Sequence, residues 1–381
     1  MTKDPYINSP NGARLHHSNM EPIQYTKRIP LKLKLTRCAS EKVRTTFRML
    51  IVTVFVSGNA FAAMISTERA MNPYPRKKEI PAFTLANLAP PYLEHTYFEG
   101  QDLRPFQAHA ASFDLANAWW LAEASALAYA DEAFAAEWFR KAGFDEVRFF
   151  DKRSTQCFVA SNREFAVVAF RGSEVWRRRG ANDGHDLAAD FTTNANFWLV
   201  DWAHGAKVHR GFKNALDEVW EDLFPYLAVL QRRGCKIWMT GHSLGAALAT
   251  LAADRFGEVQ GVYTFGSPRV GDRRFKEVFS IRTYRFVNGN DIVARLPPPG
   301  FYAHVGEPRF IDYEGRIRGR MTESTHDRYN CAGECGEKIS LEKNNLPKTP
   351  VFVPDAVIDH VPLLYAVLIW NNLVETPPGA E

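Results

Sequence analysis

The sequence of 381 residues has little of several features that would assign a chain to a special class. Five cysteines are too few for a disulfide framework in a chain of this length. The apolar run at 49–56 is too short to cross a bilayer, which takes about 20 residues. No internal repeat is visible. These absences exclude a disulfide scaffold, a bilayer span by that segment and a repeat array. What is left is an ordinary globular composition, with 46% hydrophobic and 24% charged residues.

A strong excess of one charge is also lacking beyond the first 62 residues. Residues 1–62 hold ten Lys and Arg against three Asp and Glu, a net charge of +7, whereas the remainder has a net charge of −3. The mildly acidic remainder offers no surface for nucleic acid, so no nucleic-acid partner is expected. The basic segment is typical of a disordered, solvated tail, with binding to polyanions as the alternative.

Residues 49–62 resemble the middle of a signal peptide. Arg44 and Arg48 precede an apolar run, and Ala60-Phe61-Ala62 has the small-x-small pattern of a cleavage site. The stretch before the run is long for such a peptide, which a translation start at Met20 or later would resolve. The segment favours a secreted or periplasmic location. The alternative is a cytoplasmic protein in which this segment is a buried or membrane-touching helix.

The cysteines give no pattern that predicts a metal site. Cys157 and Cys235 lie in apolar runs and are expected to be buried as small hydrophobic residues. Cys331 and Cys335 lie in a polar stretch near His326, without zinc-type spacing or a second cysteine pair. A local disulfide between them is expected if the protein is exported, and two free thiols otherwise. No metal and no other cofactor is therefore predicted.

Composition divides the rest of the chain into further parts. A Pro-rich, irregular lead-in covers 63–111, one domain covers 112–372 with a polar insert at about 312–350, and a short tail covers 373–381. Helices are predicted within 113–130, 131–143, 212–232 and 244–256, with a short one near 274–279. Strands are predicted at 147–150, 156–160, 165–170, 236–240, 259–265 and 282–288. Strands that alternate with helices predict an α/β fold with a mostly parallel central sheet flanked by helices.

The segment Gly241-His242-Ser243-Leu244-Gly245 fits the pattern G-x-S-x-G between a predicted strand and a predicted helix. A sharp strand-to-helix turn strains the apex residue and exposes its side chain, and the flanking glycines are needed because a Cβ would clash with the nearby backbone. The following helix directs its N-terminal N–H groups toward the place where an oxyanion forms. The alternative is a Gly-rich turn with an incidental serine.

A nucleophilic serine needs a histidine base and a carboxylate that orients it, in the chain order Ser, Asp or Glu, His. Three histidines follow the turn, His304, His326 and His360. His360 is favoured because it follows a short loop and opens an apolar helical run near the end of the domain. Asp291 is the favoured carboxylate because it stands just past a strand. The alternatives are an Asx-type turn or cap for Asp291, and a surface residue or N-cap neighbour for His360.

The oxyanion of a tetrahedral intermediate needs two hydrogen-bond donors. The backbone N–H of Leu244, directly after the serine, is one candidate. Ser173 follows the strand at 165–170 and could supply its N–H and its hydroxyl. Loss of one such donor typically costs about 3 kcal/mol of transition-state stabilisation.

These residues resemble the class 3, or fungal-type, lipases of the α/β-hydrolase superfamily. The resemblance extends from about residue 112 to 370 and rests on AFRGSE, VHRGF, MTGHSLGAALATLAA, YTFGSPRVGD, YRFVNGNDIVARLPP, AHVGEP and DHVPLLY. It implies an α/β-hydrolase fold and a triad of Ser243, Asp291 and His360. It also implies oxyanion donors at Ser173 and Leu244, and supporting residues at Gly241, His242, Gly245, His209 and His304.

One segment departs from the family's pattern. The stretch 175–191, in the position of the family's amphipathic lid, is polar and contains three consecutive arginines. A lid that opens onto a lipid surface should expose a broad apolar face. This composition favours anionic or partly soluble esters over long-chain triglycerides at an interface.

The expected activity is that of a serine ester hydrolase of lipase type, acting on acylglycerols or similar lipid esters through an acyl-enzyme. Phospholipase A1 and small-ester esterase activity are alternatives within that class. A missing triad residue would favour a non-catalytic binding module with a hydrolase-like fold, and none is missing. A further alternative is a membrane-surface protein governed by its basic N-terminal segment. The expected partners are an ester lipid and, transiently, a membrane or lipid surface.

Overall fold

The computed structural model describes residues 75–173, 198–319, 336–340 and 350–376. Among these residues, the main sheet has eight strands in the order β1-β2-β3-β6-β7-β8-β9-β10. Two small two-stranded sheets pair β4 with β5 and β11 with β12. The strands are β1 Glu146–Lys152, β2 Thr155–Ser161, β3 Phe165–Phe170, β4 Leu199–Asp201, β5 Lys207–His209, β6 Lys236–His242, β7 Gly261–Phe265, β8 Thr283–Asn288, β9 Glu307–Ile311, β10 Ile317–Arg318, β11 Gly336–Ser340 and β12 Pro350–Pro354.

The centre of the main sheet is parallel and its edges are antiparallel. Strands β3, β6, β7, β8 and β9 pair in parallel, while β1, β2 and β10 pair antiparallel. Parallel strands carry their carboxyl ends to one edge, so the turns after β3, β6, β7 and β8 lie close together. The predicted α/β fold with a mostly parallel central sheet flanked by helices is confirmed, although strands β9 and β10 of this sheet were not predicted.

Helices cover both faces of the sheet. On one face, α2 and α8 pack together over a core that contains Trp119, Trp238 and Tyr365. On the other face, α4 and α5 cover a core that contains Leu223, Met239 and Leu251. The α-helices are α1 Leu85–Leu88, α2 Leu115–Leu127, α3 Glu132–Lys141, α4 Arg210–Arg232, α5 Leu244–Phe256, α6 Arg273–Val278, α7 Asp355–Ile358 and α8 Pro362–Glu375. Short 3₁₀ helices occupy Ala203–Gly205 and Val293–Arg295.

The described part of the Pro-rich lead-in packs on the domain rather than standing apart from it. Tyr92, Tyr97 and Phe98 are buried in the core beneath α2 and α8. The buried carboxylate of Glu123 on α2 lies 2.9 Å from His95 Nε2, which ties the lead-in to the helix. The lead-in is therefore part of the same hydrophobic core, because burial of its aromatic side chains stabilises both.

Several predictions fall outside the described residues. These are the segment at 49–62, the lid position at 175–191, the histidine at 326, and the cysteines at 331 and 335. Of the polar insert, residues 312–319 and strand β11 are described. Within the described part of the chain, Cys157 and Cys235 are free and buried, as expected.

Candidate active site

Ser243 stands at the turn between β6 and α5 in a strained conformation, with φ 60° and ψ −126°. This value of φ is rare for a residue with a side chain. The two glycines explain how the turn is tolerated. A Cβ on Gly241 would lie 2.3 Å from the carbonyl oxygen of Gly245, and a Cβ on Gly245 would lie 2.2 Å from that of Phe170. The glycines therefore let the start of α5 approach both β6 and the end of β3.

His360 lies beside this serine. Its Nε2 is 2.9 Å from the Ser243 hydroxyl oxygen, although the two residues are 117 positions apart in the sequence. Both side chains are largely buried, since Ser243 is 4% exposed and His360 is 6% exposed. His360 is delivered by the turn between α7 and α8. The distance and burial are those that a base needs to take a proton from a hydroxyl.

Asp291 completes a continuous set of hydrogen bonds. Its Oδ2 lies 2.9 Å from His360 Nδ1, and the carboxylate is fully buried. Its Oδ1 accepts the N–H groups of Val293 and Ala294 at 2.9 and 3.4 Å. The carboxylate thus closes its own turn with one oxygen and holds the histidine with the other. The cap and the orienting acid, two alternatives in the sequence, are both present in one side chain.

Tyr365 is a site residue that the sequence did not reveal. Its hydroxyl donates to Asp291 Oδ2 at 2.6 Å and accepts the N–H of Asn288 at 2.9 Å. It lies in the first turns of α8, five residues after His360. In the sequence, Tyr365 stands out only as a tyrosine among the apolar residues that start a helix. Such a pattern more often indicates core packing. Burial is the first cause of the raised pKa of Tyr365, followed by the charge of Asp291.

Gly266, at the end of β7, is where the backbone comes closest to the acid and base. With φ 57°, a Cβ there would lie 2.6 Å from Asp291 Oδ2 and 2.8 Å from His360 Nδ1. Its N–H bonds the Phe286 carbonyl oxygen at 3.1 Å. The absence of a side chain at this position leaves room for the hydrogen bond between the carboxylate and the imidazole.

The candidate oxyanion donors lie on both sides of the serine. Leu244 is the first residue of α5, where backbone N–H groups have no acceptor within the helix. Ser173 follows Gly172. The backbone of Gly172 lies so close to β6 that a Cβ on it would come within 2.8 Å of the His242 carbonyl oxygen. The structure thus places the loop that carries Ser173 next to the turn that carries Ser243.

Two of the three predicted supporting histidines, His304 and His209, occupy different positions. His304 Nε2 bonds the carbonyl oxygen of Ala294 at 2.8 Å, so it braces the turn that holds Asp291. Burial, reinforced by the charge of Arg285, lowers the pKa of His304 to about 2, so the ring is neutral. His209 Nδ1 accepts the N–H of Phe212 at 3.4 Å and so caps α4, and the His209 ring stacks on the Phe212 ring. Burial lowers the pKa of His209 to about 4.

Asp359, adjacent to the base, is a second carboxyl that the sequence did not single out. Its Oδ2 accepts the N–H of Asn290 at 2.6 Å, and its backbone carbonyl accepts from Asn288 at 3.1 Å. Burial raises the pKa of Asp359 to about 7, with a smaller contribution from Asp291. Asp359 thus attaches the turn before Asp291 to the turn that carries His360.

The described residues contain no group of three or more His, Cys, Asp or Glu side chains arranged to hold a metal ion. None of the helices in this part of the chain has both the length and the apolar character needed to cross a membrane. The arrangement that the described side chains do form, a buried carboxylate, an imidazole and a hydroxyl in line, can activate an oxygen nucleophile by general-base catalysis.

Comparison with known proteins identifies related sequences over part of the chain. Residues 167–301 match the family model for Lipase (class 3). The secreted mono- and diacylglycerol lipase 1 of Fusarium solani is 37% identical over 174 residues, which cover 42% of this chain and 49% of that protein. A lipase of Rhizomucor miehei is 39% identical over 149 residues, which cover 35% of this chain and 40% of that protein. The aligned part spans about half the length of these relatives or less.

A phospholipase and a solved lipase structure also match. Phospholipase A1-II 6 of Oryza sativa subsp. japonica is 33% identical over 151 residues, which cover 30% of this chain and 37% of that protein. The crystal structure of a lipase from Rhizopus microsporus var. chinensis superimposes with a TM-score of 0.42 at 25% identity, covering 54% of this chain and 79% of that one.

Proposed function

We propose that this chain is a member of the class 3 lipase family, whose model matches residues 167–301, and that it is a serine ester hydrolase that forms an acyl-enzyme on Ser243. The observation that supports the proposal most strongly is the unbroken sequence of contacts from Asp291 Oδ2 to His360 Nδ1 and from His360 Nε2 to the Ser243 hydroxyl, each 2.9 Å long. This geometry matches the chemical need of a hydroxyl for a base and of the base for an orienting acid.

In the first step, the Ser243 oxygen attacks the ester carbonyl carbon while its proton passes to His360 Nε2. The imidazolium that forms is stabilised by Asp291, which accepts from Nδ1 and stays ionised. The tetrahedral oxyanion accepts hydrogen bonds from the N–H of Leu244 and from Ser173. When the bond between the carbonyl carbon and the alkoxy oxygen breaks, His360 returns the proton to the leaving alcohol and the acyl group stays on the serine.

In the second step, water attacks the acyl-enzyme and gives its proton to His360 Nε2. The same donors hold the second oxyanion. Collapse of this intermediate releases the carboxylic acid, and His360 returns the proton to Ser243. No external cofactor enters this scheme, because every proton moves between the substrate, water and the described side chains.

The substrate class that we propose is an ester of glycerol with fatty acids, or a similar lipid ester. The sequence similarity to a secreted mono- and diacylglycerol lipase supports this assignment. The similarity to a phospholipase A1 supports a glycerophospholipid as the second candidate. The polar composition of the segment 175–191 favours partly soluble or anionic esters within these classes. The partner is accordingly an ester lipid, met at a lipid surface or as a dispersed molecule.

The domain that we propose to carry the activity is 112–372, together with the lead-in from residue 75. The burial of Tyr92 and Phe98 in the common core supports this extension. A catalytic fragment that begins at residue 112 would lose those aromatic side chains. We therefore expect it to fold poorly compared with one that begins at residue 75.

The proposal is tested by turnover of p-nitrophenyl esters of increasing chain length, followed by release of fatty acid from diacylglycerol and from phosphatidylcholine. Wild-type protein should hydrolyse the esters, and Ser243→Ala should lower kcat by about 10⁴-fold or more. Ser267→Ala is the matched control, because Ser267 is also buried but its hydroxyl bonds only its neighbour's carbonyl, that of Pro268, at 3.0 Å. Equal rates for wild type and Ser243→Ala would refute the proposal.

A further inference from the structure

His242, the residue before the serine, is buried and bonded at both ring nitrogens. Its Nε2 lies 2.6 Å from the backbone carbonyl oxygen of His360, and its Nδ1 lies 2.9 Å from the Tyr129 hydroxyl. The ring is 2% exposed and packs against the His360 ring, with centroids 4.4 Å apart. A histidine that only filled space would not need a partner on each nitrogen.

These two partners determine where the protons are. A carbonyl oxygen can only accept, so Nε2 of His242 must carry a hydrogen. Burial, together with the neighbouring His360, lowers the pKa of His242 well below its usual value, so the ring is neutral. Nδ1 therefore has a lone pair, and the Tyr129 hydroxyl donates to it. The His360 carbonyl thus fixes the tautomer of His242, and the tyrosine donates to the nitrogen that has the lone pair.

Tyr129 also touches the loop that carries Ser173. Its hydroxyl interacts with the backbone of Gly172. Burial raises the pKa of the Tyr129 phenol, and this contact acts to lower it. A Cβ on Gly172 would lie only 1.9 Å from this hydroxyl oxygen. The glycine therefore leaves the space that the phenol occupies. Tyr129 lies two residues after the end of α2 and is 3% exposed, so its surroundings restrict its side chain.

We infer that Tyr129 and His242 are positioning residues that connect the oxyanion loop at Gly172 to the backbone of the base His360. The inference rests on the proposed function and extends it to residues that do not touch the reacting atoms. Through this connection, the donor at Ser173 and the base are held relative to one another on either side of Ser243. The connection is made by side chains from β6 and from the end of α2, two elements that the core already fixes.

The effect of this connection should fall on the chemical step rather than on substrate binding. Transition-state stabilisation requires the oxyanion donors and the base to be placed at the same time, and displacement by about 1 Å can cost about 100-fold in rate. Binding of a small ester in its ground state depends less on the exact placement of the oxyanion donors or of the base. Neutral His242 also adds no positive charge beside His360 while the latter becomes an imidazolium, which a charged neighbour would oppose.

The kinetic test compares Tyr129→Phe with Tyr263→Phe on p-nitrophenyl butyrate. Tyr263 is a matched control because its buried hydroxyl bonds the backbone of Asp114 at 3.0 and 3.2 Å, remote from the triad. Tyr129→Phe should lower kcat by about 10- to 100-fold with KM changed less than about threefold. Tyr263→Phe should retain the wild-type kcat. Equal kcat values for the two variants would overturn the inference.

A pair of substitutions at His242 tests the donor itself. His242→Gln keeps an N–H that can reach the His360 carbonyl, whereas His242→Leu removes it at similar volume. Gln should retain more of the wild-type kcat than Leu by about tenfold or more, at comparable stability by urea denaturation. If the leucine variant is as active as the glutamine variant, packing alone accounts for His242 and the inference is wrong.

Nitrogen-15 NMR of the histidine rings in the full chain gives a test that does not depend on turnover. In wild type, the His242 signals, assigned by their absence in His242→Gln, should show a neutral ring protonated at Nε2 throughout the pH range of folded protein. Tyr129→Phe should keep this tautomer but shift the Nδ1 signal, because the lone pair on Nδ1 loses its donor. A wild-type ring protonated at Nδ1, or one that titrates near neutral pH, would overturn the inference. If wild type hydrolyses no ester, the proposed function fails, and these spectra still decide the tautomer.

Discussion

The hydroxyl of Tyr365 donates to the same oxygen of Asp291, Oδ2, that accepts from the His360 imidazole. The two donors therefore share one acceptor atom inside a fully buried carboxylate. Since Oδ1 of Asp291 is taken by the backbone N–H groups of Val293 and Ala294, the carboxylate has four donors in all among the described residues. A buried carboxylate with this many donors holds a fixed orientation.

Tyr365→Phe should weaken the activity without abolishing it. Loss of one donor leaves the carboxylate less stabilised and less firmly held against the His360 imidazole. We expect kcat to fall about tenfold, which is equivalent to about 1.4 kcal/mol. Ester hydrolysis at saturating substrate measures this effect.

A control separates this electrostatic effect from a loss of packing. Tyr263→Phe removes a hydroxyl of similar burial in the same core, and each substitution should lower the free energy of unfolding by about 1–3 kcal/mol. Only the change at Tyr365 should lower kcat. An unchanged kcat in Tyr365→Phe would mean that its hydroxyl does not influence the pair formed by Asp291 and His360.

Gly266→Ala should separate the acid from the base. The added Cβ would lie 2.6 Å from Asp291 Oδ2 and 2.9 Å from His360 Cε1, so one of these groups has to move. We expect a loss of kcat of about 100-fold or more, measured with a soluble ester. Gly257→Ala is the matched control, because Gly257 also has a positive φ, 82°, but nothing lies within 4 Å of its Cβ. It should cost about 1 kcal/mol of stability through backbone strain and leave kcat unchanged. Full activity of Gly266→Ala would contradict the crowding argument.

Alanine substitutions of His360 and His304 should show which of the two contributes more to kcat. His360→Ala removes the base and should lower kcat about as far as Ser243→Ala does. His304→Ala removes only the bond to the Ala294 carbonyl, which braces the turn of Asp291, and should lower kcat about tenfold. Because His304 is neutral down to about pH 2, its loss should not move the pH profile. The reverse ranking of the two variants would show that the base is not His360.

Asp359→Asn should change how stability depends on pH. The pKa of Asp359 is raised to about 7 in the folded chain from its ordinary value of 3.8, first by burial. The folded state therefore holds a proton that the unfolded state has lost, and the unfolding free energy falls with rising pH between these values, by up to about 1.4 kcal/mol per pH unit from this group. The asparagine variant should lack this component and gain stability relative to wild type as pH rises.

Urea denaturation across that pH interval measures the difference between wild type and variant. Exposed Asp102, changed to Asn, serves as the control and should follow the wild-type profile. A constant offset between wild type and Asp359→Asn at every pH would mean that the carboxyl is not held protonated by its surroundings.

The local sequence was sufficient to predict the elements that build the turn of Ser243. Continuous apolar residues over Phe165–Phe170 and the glycines around Ser243 predict a buried strand and a strained strand-to-helix turn, and both are observed. These features depend on the backbone sterics and side-chain periodicity of a few neighbouring residues. Boundaries differ by one to three residues at most of the predicted strands, for instance β7, expected from 259 and observed from Gly261.

The sequence could name candidates for the acid and base but could not bring them together. Asp291 and His360 are separated by 69 positions. The parallel order of β6, β7 and β8 places the turns of Ser243 and Asp291 at one edge of the sheet, and the turn between α7 and α8 brings His360 to them. Their catalytic roles stay predictions, and their distances are observed.

Tyr129, Gly266 and Asp359 carried no local signal, and Tyr365 carried only one that more often indicates core packing, because each acts through contacts with distant segments. The sequence by itself determined that a serine stands at a strained strand-to-helix turn and that strands alternate with helices, since these features follow from short-range sterics and periodicity. Tertiary structure alone decided which side chains surround the carboxylate and the imidazole, because hydrogen bonds between remote segments depend on how the sheet and helices pack.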